Sequence, residues 1–203
     1  MIDVSDQDGL RSVTLSRPEK ANSLTTAMLT DLVEVFEGSH RVRALILTGA
    51  GAKVFSAGAD LEEAHGGLAT SPLWEQASGA LAALPCLTIA ALNGTLAGGA
   101  FGMALACDIR LSVPHAKFFY PVAKLGFLPQ PSDPARLSAL IGPARTKLIL
   151  LAAEKLSADE ALSFGLVDRI CTPDDLLPVA RDLASASLNG DPFTLHKIKA
   201  MIP

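Results

Sequence analysis

Apolar and polar residues alternate along the N-terminal stretch MIDVSDQDGLRSVTL and clearly across residues 10–16, the period-two pattern of a half-buried strand. Arg17-Pro18-Glu19-Lys20 then reads as a polar turn. The period changes at Thr25, a capping residue, because Met28, Leu29, Leu32, Val33 and Phe36 recur at helical spacing and share one apolar face. Residues 42–48, VRALILT, form a continuous apolar run expected of a central strand buried on both faces, and Gly49-Ala50-Gly51 closes it. A helix is expected from about Asp60. The cycle then repeats: residues 87–92 read as a buried strand, Asn93-Gly94 as a turn, 99–106 as a helix, 109–113 as a strand and 116–119 as a short strand. Farther on, 136–141 and 145–152 read as helices separated by Gly142-Pro143. Ser157 and Glu160 form a capping-box pattern for a helix that stops near Gly165. Residues 166–170 read as extended, Pro173 starts a polar turn, and 176–187 and 193–201 read as closing helices. Strands alternating with helices predict an α/β fold.

At 203 residues the chain has the length of about one domain. With 49% hydrophobic and 19% charged residues it has ample apolar surface to form a core, and its net charge of −4 argues against a general nucleic-acid binder. Cys86, Cys107 and Cys171 are odd in number and widely spaced, which predicts neither a disulfide framework nor a zinc site, and a reducing cytoplasm is the expected setting. No basic, apolar leader opens the sequence. The uncharged run from Gln76 to Cys107 is long enough to raise a membrane span, but Pro85, Asn93-Gly94 and Gly98-Gly99 cut it into short pieces. A buried strand, a turn and a buried helix are the expected reading, and the low charge of this stretch also predicts apolar surface covered by further copies of the chain.

The glycine clusters do not match nucleotide motifs. Gly49-Ala50-Gly51 leads to Val54 where a dinucleotide fingerprint needs its third glycine, and no Gly-Lys-Ser/Thr is present. Ser56 lacks the first glycine of a nucleophile elbow, and His40, His65, His115 and His196 have no spacing that selects a partner or a metal. Two segments carry more information: Phe55-Ser56-Ala57-Gly58-Ala59-Asp60-Leu61, and Asn93-Gly94 followed by Gly98-Gly99. Each reads as strand, small-residue turn and helix. First-turn N–H groups have no partner within a helix and attract negative charge, so two converging turns can hold a carbonyl oxygen as it becomes an oxyanion; two tight packing turns are the alternative reading.

These two segments, together with Leu15-Ser16-Arg17-Pro18-Glu19-Lys20-Ala21-Asn22-Ser23-Leu24, Cys107-Asp108-Ile109 and Leu162-Ser163-Phe164-Gly165-Leu166-Val167-Asp168, make a chain that resembles the crotonase, or enoyl-CoA hydratase/isomerase, superfamily. The resemblance implies a crotonase-like spiral of ββα units over residues 1–190, with 191–203 as the remnant of a C-terminal helical segment. It also implies an acyl-CoA thioester substrate, no cofactor beyond the coenzyme A moiety, a homotrimer or hexamer, and neither nucleic acid nor membrane as partner. Carried over by position, the oxyanion N–H groups are those of Ala59 and Gly99. Ala21, Asn22, Ser23, Leu24, Ala57, Gly58, Asp60 and Leu61 border the substrate, and Arg17 or Lys20 is a candidate for the CoA phosphates.

The departures from that pattern bear on the reaction. Hydratases of the family use two glutamates, whose positions fall on Gly102 and Val122, and neither residue transfers a proton. A third family position, an aspartate in some members, falls on Gln130, an amide with no useful acid–base pKa. Val122 and Gln130 are therefore expected as substrate-lining residues only. Asp133 is the candidate acid or base, with a helix cap as its alternative role. Glu62, Glu63 and His65 read as a solvated helix face near the acyl pocket, and Tyr120, the only tyrosine, as a proton-donor candidate. Two functions stay open: an enolate-stabilising acyl-CoA enzyme, or a non-catalytic acyl-CoA-binding protein or partner-dependent subunit.

Overall fold

A computed structural model describes residues 1–202. In chain order its elements are β1 (Ile2–Gln7), β2 (Leu10–Leu15), α1 (Thr26–Glu37), β3 (Ala44–Gly49), β4 (Val54–Ser56), α2 (Leu61–His65), α3 (Leu73–Ala82), β5 (Leu87–Leu92) and β6 (Thr95–Ala97). They continue with α4 (Phe101–Ala106), β7 (Ile109–Ser112), β8 (Lys117–Phe119), α5 (Val122–Leu125), α6 (Asp133–Leu150), β9 (Leu156–Ser157), α7 (Ala158–Phe164), β10 (Arg169–Ile170), α8 (Leu176–Asn189) and α9 (Pro192–Ala200). A sheet ordered β1-β2-β3-β5-β7-β10 lies beside a smaller one ordered β4-β6-β8-β9. Among the described residues no helix is long and apolar enough to cross a membrane.

The large sheet follows the expected logic. β3 and β5 lie side by side in parallel and are buried almost throughout, as their continuous apolar runs require. The N-terminal alternation is two strands: Asp8 and Gly9, both at positive φ, form a tight hairpin that pairs Val4 with Val13. Thr25 caps α1 by accepting from the Met28 N–H, and Met28, Leu29, Leu32 and Phe36 are buried, while Val33 is half-buried.

Three expectations need correction. Helix α3 went unpredicted, although Trp74, Ala77, Ser78 and Leu81 form a buried helical face. The two helices expected around Gly142-Pro143 form one element, α6, kinked where Gly142 takes φ 78° and ψ 163°; it begins at Asp133, three residues early. The uncharged run from Gln76 to Cys107 is largely buried within the chain itself, as α3, β5, β6 and α4, so its apolarity is no argument for a second copy.

The small sheet positions the site. β4 and β6 are parallel neighbours, with Val54 opposite Thr95 and Ser56 opposite Leu96, so the turns leaving both strands emerge on the same side. One leads through Ala57-Gly58-Ala59 to α2, and the other through a 3-10 turn at Gly98–Ala100 to α4.

Candidate active site

The two turns meet backbone to backbone. Gly58 sits at φ +90°, and a Cβ placed there would lie 3.0 Å from the Ala97 carbonyl oxygen and 3.4 Å from the Gly99 nitrogen. Only glycine holds that conformation without strain and also allows that contact. The first turn is supported from behind by Leu24, whose N–H donates 2.8 Å to the Gly58 carbonyl and whose carbonyl accepts from the Asp60 N–H at 2.8 Å. In this parallel bridge between Leu24 and Ala59 the Ala59 N–H is the unused donor. Ala59 and Gly99 are half-buried, and among the described residues neither N–H donates to an acceptor.

Both amides border one cavity of about 170 Å³. Its walls include Ala57, Ala59, Leu61, Gly98, Gly99, Trp74, Tyr120, Val122, Phe127 and Gln130. Trp74 lies over Gly99, where an added Cβ would come 3.0 Å from the ring, and its indole N–H is held by the Leu68 carbonyl at 2.7 Å. Leu61, Leu125 and Leu128, all exposed, add large apolar side chains around it. A larger groove of about 850 Å³ beside α9 contains none of the predicted site residues.

The structure thus gathers Ala57, Ala59, Leu61, Gly99, Val122 and Gln130 around one space, and separates others from it. Ala21, Asn22, Ser23 and Leu24 do not line this cavity. Ala21 and Asn22 both take positive φ, and the buried Asn22 amide joins three segments by accepting from the Arg17 N–H and donating to the Ala50 and Val54 carbonyls. The Ser56 hydroxyl donates to the Asn22 carbonyl at 2.8 Å, and the Ala57 N–H to that of Ala21 at 3.0 Å. This segment underpins the first turn. Asp60 caps α2 through the Glu62 and Glu63 N–H groups and pairs with Arg17 at 2.6 Å; that guanidinium holds its carboxyl below the usual range. Arg17 is therefore engaged in joining its own loop to α2, while Lys20 is exposed. Glu63 is not simply solvated, since it accepts from both the N–H and the hydroxyl of Thr26 at the start of α1.

The ionisable chemistry lies at Tyr120 and behind it. Asp133 does not cap its helix; Ser132 is the N-cap residue, and Glu75 on α3 accepts from the Ser132 N–H and hydroxyl. The Asp133 side chain instead turns inward and is fully buried, accepting the Tyr120 hydroxyl at 2.9 Å on Oδ2. Its Oδ1 has no partner. Burial pushes the carboxyl up to about 7 against the lowering effect of the Tyr120 hydrogen bond, while Arg136 lowers it and Glu75 raises it further. Burial and the adjacent carboxyl also raise the Tyr120 phenol. Phe101 stacks on the Tyr120 ring at 5.3 Å between centroids, and the Gln130 N–H reaches its oxygen at 3.4 Å.

Gly102 explains where this carboxyl fits. A Cβ at Gly102 would lie 3.0 Å from Asp133 Oδ1, so the space beside α4 is taken by an acid reaching in from α6. Sequence reading named Gly102, Tyr120 and Asp133 separately but missed their contact, and missed Trp74 with its helix. Cys86 and Cys107 offer no nucleophile, since burial pushes their thiols up to about 11 and about 12.

Comparisons with known proteins converge on one family. The family model for enoyl-CoA hydratase/isomerase matches residues 5–202. The short-chain-enoyl-CoA hydratase of Clostridium acetobutylicum is 34% identical over 198 residues, covering 94% of this chain and 76% of that protein. The carnitinyl-CoA dehydratase of Escherichia coli K12 is 35% identical over 196 residues, covering 92% and 74% respectively. Among solved structures, Pseudomonas aeruginosa DspI superposes with a TM-score of 0.92 at 31% identity, over 99% of this chain and 85% of that one. An enoyl-CoA hydratase from Bacillus anthracis gives 0.90 at 30%, over 99% and 81%.

Proposed function

The chain belongs to the enoyl-CoA hydratase/isomerase family, and from that premise we propose that it binds an acyl-CoA thioester with the thioester oxygen between the N–H groups of Ala59 and Gly99. The observation that carries this reading is the pair of unspent backbone donors on two converging turns at one apolar cavity. Donors of this kind strengthen as charge develops on the oxygen, so they stabilise an enolate or a tetrahedral oxyanion more than the ground state, by roughly 3–4 kcal/mol per donor. The relatives named as acting on enoyl-CoA and carnitinyl-CoA support a CoA thioester as the ligand. No cofactor beyond the CoA moiety enters this reading.

The reaction is other than standard hydration. Adding water across a double bond needs one group to activate the water and another to protonate the carbon beside the thioester, and glycine at 102 and valine at 122 supply neither. Purified protein is expected to melt at a higher temperature with butyryl-CoA than with free CoA, while hydrating crotonyl-CoA at least about 10²-fold more slowly than a relative with both acids. Absence of any thioester-dependent stabilisation would overturn the binding reading; efficient hydration would overturn the assignment of the reaction. Stabilisation with no turnover on any CoA thioester would favour a binding protein over an enzyme.

A further inference from the structure

Tyr120 and Asp133 are more than a buried structural pair. Buried polar atoms in folded proteins are nearly always satisfied, and an orphaned carboxyl oxygen is expensive. Asp133 nevertheless has no exposed surface and leaves Oδ1 without a partner, while Oδ2 holds the hydroxyl of Tyr120. Tyr120 in turn lines the same cavity as Ala59 and Gly99, and Phe101 fixes its ring. The bare face of Gly102 makes room for the carboxyl. An ionisable group is thus linked to a cavity-lining tyrosine by one hydrogen bond, and Val122 beside that tyrosine is inert.

We infer that Tyr120 and Asp133 form a proton relay between the protein interior and the carbon adjacent to the substrate thioester. The inference rests on the acyl-CoA reading above. In the protonating direction the enolate carbon takes the phenolic proton of Tyr120 as a new C–H bond, and Tyr120 takes the carboxyl proton of Asp133. The negative charge passes from the enolate held by Ala59 and Gly99 to the Asp133 carboxylate, which regains a proton from water between turnovers. In reverse, ionised Asp133 draws the Tyr120 proton as the phenol oxygen removes a proton from the substrate carbon. Tyr120 is the catalytic residue and Asp133 acts through it. Glu75 on α3 and Arg136 on α6 are the charged neighbours that bias Asp133, in opposite directions.

The test uses the single tyrosine. Growth on 3-fluorotyrosine labels position 120 alone, with a change small enough to preserve the fold. Exchange of the protons beside the butyryl-CoA thioester in deuterated water is followed by NMR across pH, with the fluorine signal recorded in parallel. Since removing a proton needs ionised Asp133, exchange is expected to rise with pH and level off above about 7, and the fluorine shift to titrate with the same midpoint. Asp133→Asn should abolish the fluorine titration. Asp133→Asn and Tyr120→Phe should each slow exchange at least about 10²-fold while butyryl-CoA affinity stays within about threefold. A flat fluorine signal, exchange in Tyr120→Phe close to the wild-type rate, or binding without any exchange would each overturn the relay. Failure of butyryl-CoA to bind would overturn the acyl-CoA reading, and the relay with it.

Discussion

The two walls of the cavity present chemistry in different ways. On one, the turns at Ala57–Ala59 and Ala97–Gly99 offer main-chain N–H groups, positioned by parallel strands β4 and β6 and by the Leu24 bridge. On the other, Tyr120 offers a side chain backed by the buried Asp133, the pair positioned by Phe101 stacking and by the absence of a side chain at Gly102. A backbone donor survives any substitution that preserves the turn except proline, whereas a proton-transfer group vanishes with almost any residue change. On the proposed reading, the first wall binds the thioester and the second decides which reaction follows. The walls also differ in their response to pH, because only the second titrates.

The largest expected effect exploits that difference. The carboxyl of Asp133 is raised from 3.8 to about 7 on folding, so the native state keeps a proton that the unfolded chain releases. Stability is then undiminished below about pH 4 and falls as pH rises towards 7, where the loss levels off. Asp133→Asn removes this dependence, and its stability relative to wild type should gain on the order of 4 kcal/mol between about pH 4 and pH 8 in chemical denaturation. Parallel pH profiles for the two proteins would show that Asp133 is not the buried acid described.

A somewhat smaller effect concerns which helix supplies the carboxyl. Gly102→Glu does not simply add an acid, because even its Cβ would crowd Asp133 Oδ1 at 3.0 Å; it should cost about 3 kcal/mol. Adding Asp133→Gly vacates that space and should recover most of the loss, a coupling that a double-mutant cycle measures. Additive losses would mean that the two positions do not compete. Smaller still, Gly58→Ala strains a positive φ and pushes on the Ala97 carbonyl and the Gly99 nitrogen, costing about 2 kcal/mol and weakening thioester binding. Gly142→Ala also strains a positive φ but meets no atom within 4 Å, so calorimetry should find lost stability with affinity unchanged.

How legible these walls were in the sequence follows from the same contrast. The turns could be found from Ala57-Gly58-Ala59 and Gly98-Gly99, because small residues at the junction of strand and helix are a local signal with a local cause. Asp133 and Gly102 lie 31 positions apart in the chain, and their contact depends on how α6 packs against α4, which no local spacing encodes. Asp133 read as a cap because it lies in the proline-rich segment 129–134 just before an expected helix; packing turned its side chain inward and left the start to Ser132 and Glu75. Helix α3 was legible in principle, from Trp74, Ala77 and Leu81, but the uncharged composition of the adjoining stretch hid its period. The Asp8-Gly9 hairpin went unread although the apolar positions change parity across it, from Ile2 and Val4 to Val13 and Leu15.

The central claim is that the Ala59 and Gly99 N–H groups hold the thioester oxygen, and Ala59→Pro tests it most directly. The Ala59 N–H takes no part in the bridge to Leu24, so proline there removes a donor without breaking a main-chain hydrogen bond. Calorimetric affinities would be compared for acetoacetyl-CoA, whose enolate presents a charged oxygen, and for S-butyl-CoA, a thioether with no carbonyl. Wild type should prefer acetoacetyl-CoA, and Ala59→Pro should weaken that ligand by roughly 10²–10³-fold while leaving the thioether unchanged. Equal affinity of wild type and a folded Ala59→Pro for acetoacetyl-CoA would contradict the account.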